Sequence, residues 1–418
     1  MKCLKKSVVI FITAVCLLIT GCGDTGSLSK LPSSSFHEDK QKLTIMHIDA
    51  DNKRFQDFIE ETEKKLDMEI TVEKCPSNAD NRQAKISTIL ASGDKNIDLI
   101  SVNDEMISEF KHKGYLEPLE KNVMTEEVRD SFPQKYLESI CEENGHIYSV
   151  PFQMDIMMFW VNQEFLDQAG LDEIKDMDDI YTLQKSITDP DKFAYGDAWE
   201  NTHVYNSLSQ FVNFWGGDYF DWTDPKTKDA ARYMKSMLDE KNTSPAQFVD
   251  QYEQMEEKFI RGKYGCVFMY TSALGTFLDA DVYGKNKIHM APLPVLHKKK
   301  ATNIATWQYV LNNASENKDA AVRFLQYAAG YEGSTEYAKI MKSYPARVDV
   351  IENEDIDLEG IDMIRKYLRE YTLNARPLCE NSMGAVSDMG KLFQGYVLGQ
   401  CEEDSFFEQA QNCINTYY

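Results

Sequence analysis

Apolar and polar residues alternate from Leu43 to Ile48, the two-residue period of a strand. A polar turn, Asp49 to Asn52, follows, and the period then changes. Phe55, Phe58, Ile59, Thr62 and Leu66 recur at helical spacing along one stripe. Met68 to Val72 predicts a second strand. Ile86, Ile89 and Leu90 mark a second helix that stops near Gly93, and Ile97 to Val102 reads as a buried strand. Met106, Ile107 and Phe110 mark the next helix. Strand and helix in alternation predict a parallel α/β sheet. Ligands of such sheets sit beyond the carboxyl ends of the strands, in the loops that open the helices. Two such loops are Asp49-Ala50-Asp51-Asn52 and Asn103-Asp104-Glu105. Asp51 and Asp104 are therefore candidate ligand contacts, with helix capping as the plain structural alternative. From about Phe165 to Leu278 the pattern is mainly helical with aromatic-rich loops, and no internal repeat appears.

The first 22 residues follow a different pattern. Lys2, Lys5 and Lys6 precede an apolar run from Val8 to Ile19, which ends in Ile19-Thr20-Gly21-Cys22. This is a secretory signal with a core too short to span a bilayer. Its ending resembles a bacterial lipobox, which implies cleavage after residue 21 and lipidation of Cys22, palmitate included. The alternative is an ordinary signal peptide with a coincidental cysteine. A lipidated cysteine can supply the two or more chains that stable anchoring takes. Residues 23–40 are rich in Ser, Gly, Thr, Asp and Lys, and with Cys22 they read as a lipid-anchored flexible tether, 22–40. The expected address is the extracellular face of the cell membrane.

Length and charge narrow the classes. A chain of 418 residues is long enough for two lobes, each with its own core. Cleavage after residue 21 removes three lysines and no acidic residue, which takes the net charge from −23 to −26. Such a chain repels nucleic acid, and its acidity suits solubility outside the cell. Beyond the signal and the anchor Cys22, six cysteines remain: Cys75, Cys141, Cys266, Cys379, Cys401 and Cys413. They contain no C-x-x-C pair, which argues against a zinc or redox motif and leaves pairing or free thiols open. There is no Gly-x-Ser-x-Gly elbow, no His-Glu-x-x-His and no Walker loop. The seven histidines show no ligand spacing, so no metal and no cofactor is expected. The 68 acidic residues would supply a glycosidase-like carboxylate pair by chance alone, so they do not discriminate.

A series of short motifs, in order, resembles the extracellular solute-binding proteins of ABC importers, the large sugar-binding family (family 1 type) in particular. They are Ile89-Leu90-Ala91-Ser92-Gly93 with Ile97-Asp98-Leu99-Ile100; Gly114-Tyr115-Leu116-Glu117-Pro118-Leu119; and Gly145 to Phe152 with Phe159-Trp160-Val161-Asn162. Next come Phe214-Trp215-Gly216-Gly217-Asp218; Phe259 to Cys266; and Ala291-Pro292-Leu293-Pro294 with Thr306-Trp307-Gln308. Last are Tyr344-Pro345-Ala346-Arg347 and Asn374-Ala375-Arg376-Pro377. The likeness runs from Leu43 to Tyr418. Two positions depart from it: Ala305-Thr306 stand where the family often has Gly-Gly, and Ser272 stands where it commonly has tryptophan.

The resemblance implies a two-lobed periplasmic-binding-protein-like α/β fold of type II, with several hinge crossovers and a ligand cleft between the lobes. The crossings are expected near 153–155, 290–293 and 330–334. The lobes would comprise 41–153 with 292–332, and 154–291 with 333–418. The implied function is capture of a small solute, a sugar or oligosaccharide, by hinge closure, and delivery to ABC permease subunits by a monomer that is not an enzyme. The alternatives are a surface-anchored carbohydrate-active hydrolase and a sensor lipoprotein of the same fold that presents its ligand. Sugars offer an apolar ring face edged with hydroxyls, so rings and carboxylates are sought. Trp307, expected in a loop after a polar run, is the leading aromatic, with a packed core ring as the alternative. Tyr270 is expected to compensate for Ser272. Trp215, before Gly-Gly where backbone can approach closely, and Asp155, after the first crossing, complete the set with Arg376; the alternatives are core packing in the helical lobe for Trp215 and a solvated hinge carboxylate for Asp155. Arg376 is expected to pair with a ligand acid or with a carboxylate such as Asp388. Trp199 and Tyr205 are weaker candidates of the same kind.

Overall fold

The structure is a computed structural model, and it describes residues 40–76 and 79–418. The signal peptide, the anchor Cys22 and the tether up to residue 39 lie outside the described residues. The first strand, β1 (Gln41–His47), pairs in parallel with both β2 (Met68–Lys74) and β3 (Leu99–Asn103). Between them run α1 (Lys53–Leu66) and α2 (Ala79–Ser92), and α3 (Asp104–Phe110) follows β3. Helix α1 buries Phe55, Phe58, Ile59 and Thr62, the stripe that the sequence pattern predicts. Its cap is Asn52, whose side chain accepts from the Arg54 N–H at 3.0 Å. The cap of α3 is likewise Asn103. Neither Asp51 nor Asp104 caps a helix: amide oxygens one residue away already take those N–H groups.

Two long strands join the lobes. Strand β4 (Val150–Asn162) pairs antiparallel along its first half with the distant strand Ala301–Leu311. From Met157 onward it pairs instead with Tyr264–Tyr270, and from Phe159 with Ile288–Ala291. Numbered in chain order after β4, these are β5 (Phe193–Gly196), β6 (Tyr264–Tyr270), β7 (Ile288–Ala291), β8 (Ala301–Leu311) and β9 (Thr372–Ala375). The sheet runs β2-β1-β3-β8-β4-β6-β5, with β9 on β8 and β7 on β4. A strand that changes partners midway carries the backbone from one lobe's sheet into the other's.

Trp307 lies inside β8 and not in a loop. The polar residues of that stretch disguise a buried strand. Thr302, Asn303, Thr306 and Gln308 are buried and hydrogen-bonded to other segments, for example Asn303 Nδ2 to Ser209 Oγ at 2.6 Å and Gln308 Nε2 to Tyr136 Oη at 2.9 Å. All six described cysteines are free thiols. No helix among the described residues is long and apolar enough to cross a membrane.

Candidate functional site

A cavity of about 240 Å³ opens where β4 and β8 pass between the lobes. Its floor follows from strand register. Asp155 of β4 sits opposite Ala305 of β8, and Gln153 opposite Trp307, which puts Ala305, Trp307 and Asp155 on one face. Ala305 leaves room beside the carboxylate. The β4–β8 register slips by one residue between Trp307 and Gln308; such irregularities re-aim a side chain. Trp307 is half-buried at the cavity wall, whereas the other four tryptophans are 5% exposed or less. The Arg82 guanidinium stands over the Trp307 ring, 5.3 Å from its centroid.

Asp155 is buried, and its Oδ1 accepts from the Thr271 hydroxyl at 2.8 Å and the Ser272 N–H at 2.7 Å. Burial pushes its pKa up, and those two donors hold it down only in part.

The end of β3 supplies the opposite wall. Glu105 of α3 takes two hydrogen bonds from Arg376, Nη1 to Oε1 at 2.6 Å and Nη2 to Oε2 at 2.8 Å. Arg376 Nη1 also donates to Tyr205 Oη at 2.7 Å, and the Tyr205 hydroxyl donates to Glu105 Oε1 at 2.6 Å. Burial raises the Glu105 pKa, but the Arg376 charge and the Tyr205 hydroxyl outweigh it, and the net direction is down. Tyr205 belongs to α4 (Val204–Trp215), whose Asn206 accepts from the Tyr270 hydroxyl at 2.9 Å. Tyr252, which opens α5 (Tyr252–Ile260), donates to the Tyr270 carbonyl at 3.4 Å.

The structure thus brings Trp307, Tyr270, Asp155 and Arg376 to one cavity. Asp104 lies one layer behind it, fully buried. It accepts from Arg376 Nε at 3.3 Å, from the Thr306 N–H at 3.0 Å and from the Tyr136 hydroxyl, and burial pushes its pKa up. Asp51 is elsewhere, exposed and paired with Lys74. Trp215 is also elsewhere. It stacks on His297 at 4.9 Å and packs on Tyr233 at 4.8 Å inside the helical lobe. The Gly-Gly after it serves packing: Gly216 ends α4 at φ +68, and a Cβ on Gly217 would fall 2.6 Å from Thr227 Oγ1. Trp199 is fully buried against Phe248 and Phe393, whereas Tyr205 lines the cavity. Arg376 pairs with Glu105 and Asp104; Asp388 pairs with Lys391 and Tyr417.

Sequence reasoning missed Glu105, Tyr252 and Asn206 among the residues that line the cavity. Glu105 stood in a flagged loop beside Asp104; nothing in the sequence singles out the other two. Rings, amides and carboxylates in this arrangement can hold a polar ligand that has an apolar face. Among the described residues, no group of three or more His, Cys, Asp or Glu is placed to hold a metal ion.

Comparison with known proteins follows the same line. A family model described as bacterial extracellular solute-binding protein matches residues 49–335. An arabinooligosaccharide-binding protein of Halalkalibacterium halodurans is 23% identical over 283 residues. That alignment takes in 63% of this chain and 61% of the relative, so the chain matches under two thirds of the relative's length. Among solved structures, an ABC transporter solute-binding protein of Thermotoga lettingae bound with α-D-tagatose superposes with a TM-score of 0.77 at 19% identity, covering 90% of this chain and 99% of that one. The GacH receptor of Streptomyces glaucescens, solved unliganded and with acarbose, gives 0.75 at 18% identity, covering 91% and 100%. The shared feature is the two-lobed mixed α/β fold.

Proposed function

Because the chain belongs to the bacterial extracellular solute-binding protein family, we propose that it captures a carbohydrate in the cavity between its lobes. The observation that supports this reading best is the meeting of Trp307 and Tyr270 with the Asp155 carboxylate on one small cavity. An indole covers the apolar face of a sugar ring, and a buried carboxylate accepts hydrogen bonds from its hydroxyls. Closure of the lobes excludes water from those bonds and gives the closed state its higher affinity. Capture needs no nucleophile or metal, and we read the protein as a receptor and not an enzyme. The lobes are assigned to 41–153 with 292–332 and to 154–291 with 333–418. The partners proposed are the permease subunits of an ABC importer, reached by a monomer held outside the cell membrane through lipid on Cys22.

A thermal-shift screen against a sugar panel, followed by calorimetry, tests the proposal, since a ligand that binds only the folded chain raises the Tm. Saturable binding with the sugar recovered unchanged supports capture. Release of a shortened sugar contradicts it in favour of a hydrolase.

A further inference from the structure

We infer that the cavity takes uncharged sugars and turns away uronic acids, and that Glu105 sets this preference by occupying Arg376; the inference rests on the carbohydrate reading above. A ligand carboxylate is held best by an arginine fork that is free to give two parallel N–H bonds. Among the described residues that line the cavity, Arg376 is the one arginine, and no lysine lines it. Each of its guanidinium nitrogens already has a carboxylate of the protein as partner: Nη1 and Nη2 reach Glu105 at 2.6 and 2.8 Å, and Nε reaches Asp104 at 3.3 Å. Nη1 also donates to Tyr205 Oη at 2.7 Å. His203, on the same wall, has its Nδ1 on Glu200 Oε2 at 3.3 Å.

The charge left over is negative. Burial alone would raise the Glu105 pKa, but the Arg376 charge and the Tyr205 hydroxyl outweigh it, so this carboxylate stays ionised. Asp155 adds a second carboxylate to the cavity wall, and its hydrogen bonds come from uncharged donors, the Thr271 hydroxyl and the Ser272 N–H. With Asp104 behind them, three carboxylates surround the site and one guanidinium answers them. All four groups are largely buried, so water and salt screen them little. A sugar hydroxyl donates to such acceptors. A uronate brings a further negative charge and no donor in its place. To be held, it would have to take Arg376 from Glu105 and leave that acid buried and unpaired, which counts against an acidic ligand.

Calorimetric titration at about pH 8, where uronic acids are ionised, tests this with sets that differ only at the exocyclic carbon. The sets are glucose, glucuronamide and glucuronate; galactose, galacturonamide and galacturonate; and galactotriose, trigalacturonamide and trigalacturonate. The amide has the shape of the carboxylate without its charge. The expected result is saturable binding of at least one neutral sugar, with its acid weaker by about tenfold or more and its amide nearer the sugar than the acid. Glu105→Gln is expected to narrow the gap between sugar and acid about tenfold by releasing Arg376 to the ligand. The wild-type sets decide the preference even if the variant does not fold. An acid that binds as tightly as its neutral partner, or more tightly, overturns the inference and leaves the carbohydrate reading standing. An amide as weak as the acid overturns charge as the cause. A folded Glu105→Gln protein with an unchanged gap overturns the role of Glu105. Absence of binding by every member of the sets, neutral or acidic, overturns the carbohydrate reading and this inference with it.

Discussion

Arg376 and Glu105 face each other as a two-pronged ion pair, guanidinium nitrogens to carboxylate oxygens at 2.6 and 2.8 Å, and both side chains are largely hidden from water. Arg376 follows β9, while Glu105 opens α3, so the pair ties the end of the chain to the first sheet. A third charge, Asp104, lies behind them at 3.3 Å from Arg376 Nε. One guanidinium therefore compensates two carboxylates.

Removing that guanidinium leaves buried charge without a partner. Arg376→Met is expected to destabilise the protein by about 3–5 kcal/mol, the usual cost of breaking a buried pair. The double variant Glu105→Gln with Arg376→Met is expected to recover part of the loss. Urea denaturation checks both. A single variant that loses less than about 1 kcal/mol contradicts the compensating role.

Two tryptophans that look alike in sequence are expected to fail differently. Trp307→Ala keeps the fold and weakens sugar binding about tenfold or more, since ring stacking in a closed cleft contributes ~1–2 kcal/mol. Trp215→Ala loses a core ring packed on His297 and Tyr233, and costs about 3–5 kcal/mol of stability. Its folded fraction is expected to bind sugar normally. Paired melting curves and titrations separate the two, and the reverse pattern sinks the site assignment.

His47 is fully buried and stacked on Phe55, with ring centroids 3.8 Å apart. The Asp49 N–H donates to its Nδ1, the Asp49 carboxylate lies 3.9 Å away, and Tyr309 Oη lies 3.4 Å from Nε2. Burial pushes its pKa down from 6.5 to about 3. Between those values the unfolded chain binds a proton that the folded chain refuses. Stability is thus fully present above pH 6.5 and falls as pH drops through the window, by up to about 1.4 kcal/mol per pH unit. His47→Gln is expected to flatten the Tm-against-pH curve between about pH 4 and 6.5 relative to the parent. Parallel curves for the two proteins contradict the buried neutral imidazole.

The thiols divide by burial. Cys141 is fully buried with its pKa pushed up to about 12, and Cys75, Cys266 and Cys413 are also buried and raised. Cys379 and Cys401 are half-buried. Maleimide labelling followed by peptide mapping is expected to mark these two in the native protein and the other four only on unfolding. Fast native labelling of Cys141 contradicts the packing around it.

The first half-sheet was legible because its elements are regular. β1 to α3 show the periods of strand and helix without interruption, and the loop after β3 was marked as a ligand loop by its place alone. β8 was not legible: its buried Thr302, Asn303 and Gln308 are satisfied by distant partners, which no local pattern records. The same reason hid Glu105, whose neighbour Asp104 was chosen instead; which of two adjacent acids faces the cavity depends on how α3 packs under Thr306. Trp215 was a candidate because Gly-Gly follows it, with core packing as the alternative; the structure packs it in the core, and those glycines serve a helix end and a close contact with Thr227. Arg82 carried no signal at all, since its partner is 225 positions away on β8.

A crystal structure of the protein with the sugar selected by thermal shift tests the central claim most directly. The account predicts a sugar in the cavity, with the apolar face of a ring against Trp307 and a hydroxyl donated to Asp155. A sugar bound elsewhere, or bound without contact to either residue, contradicts it.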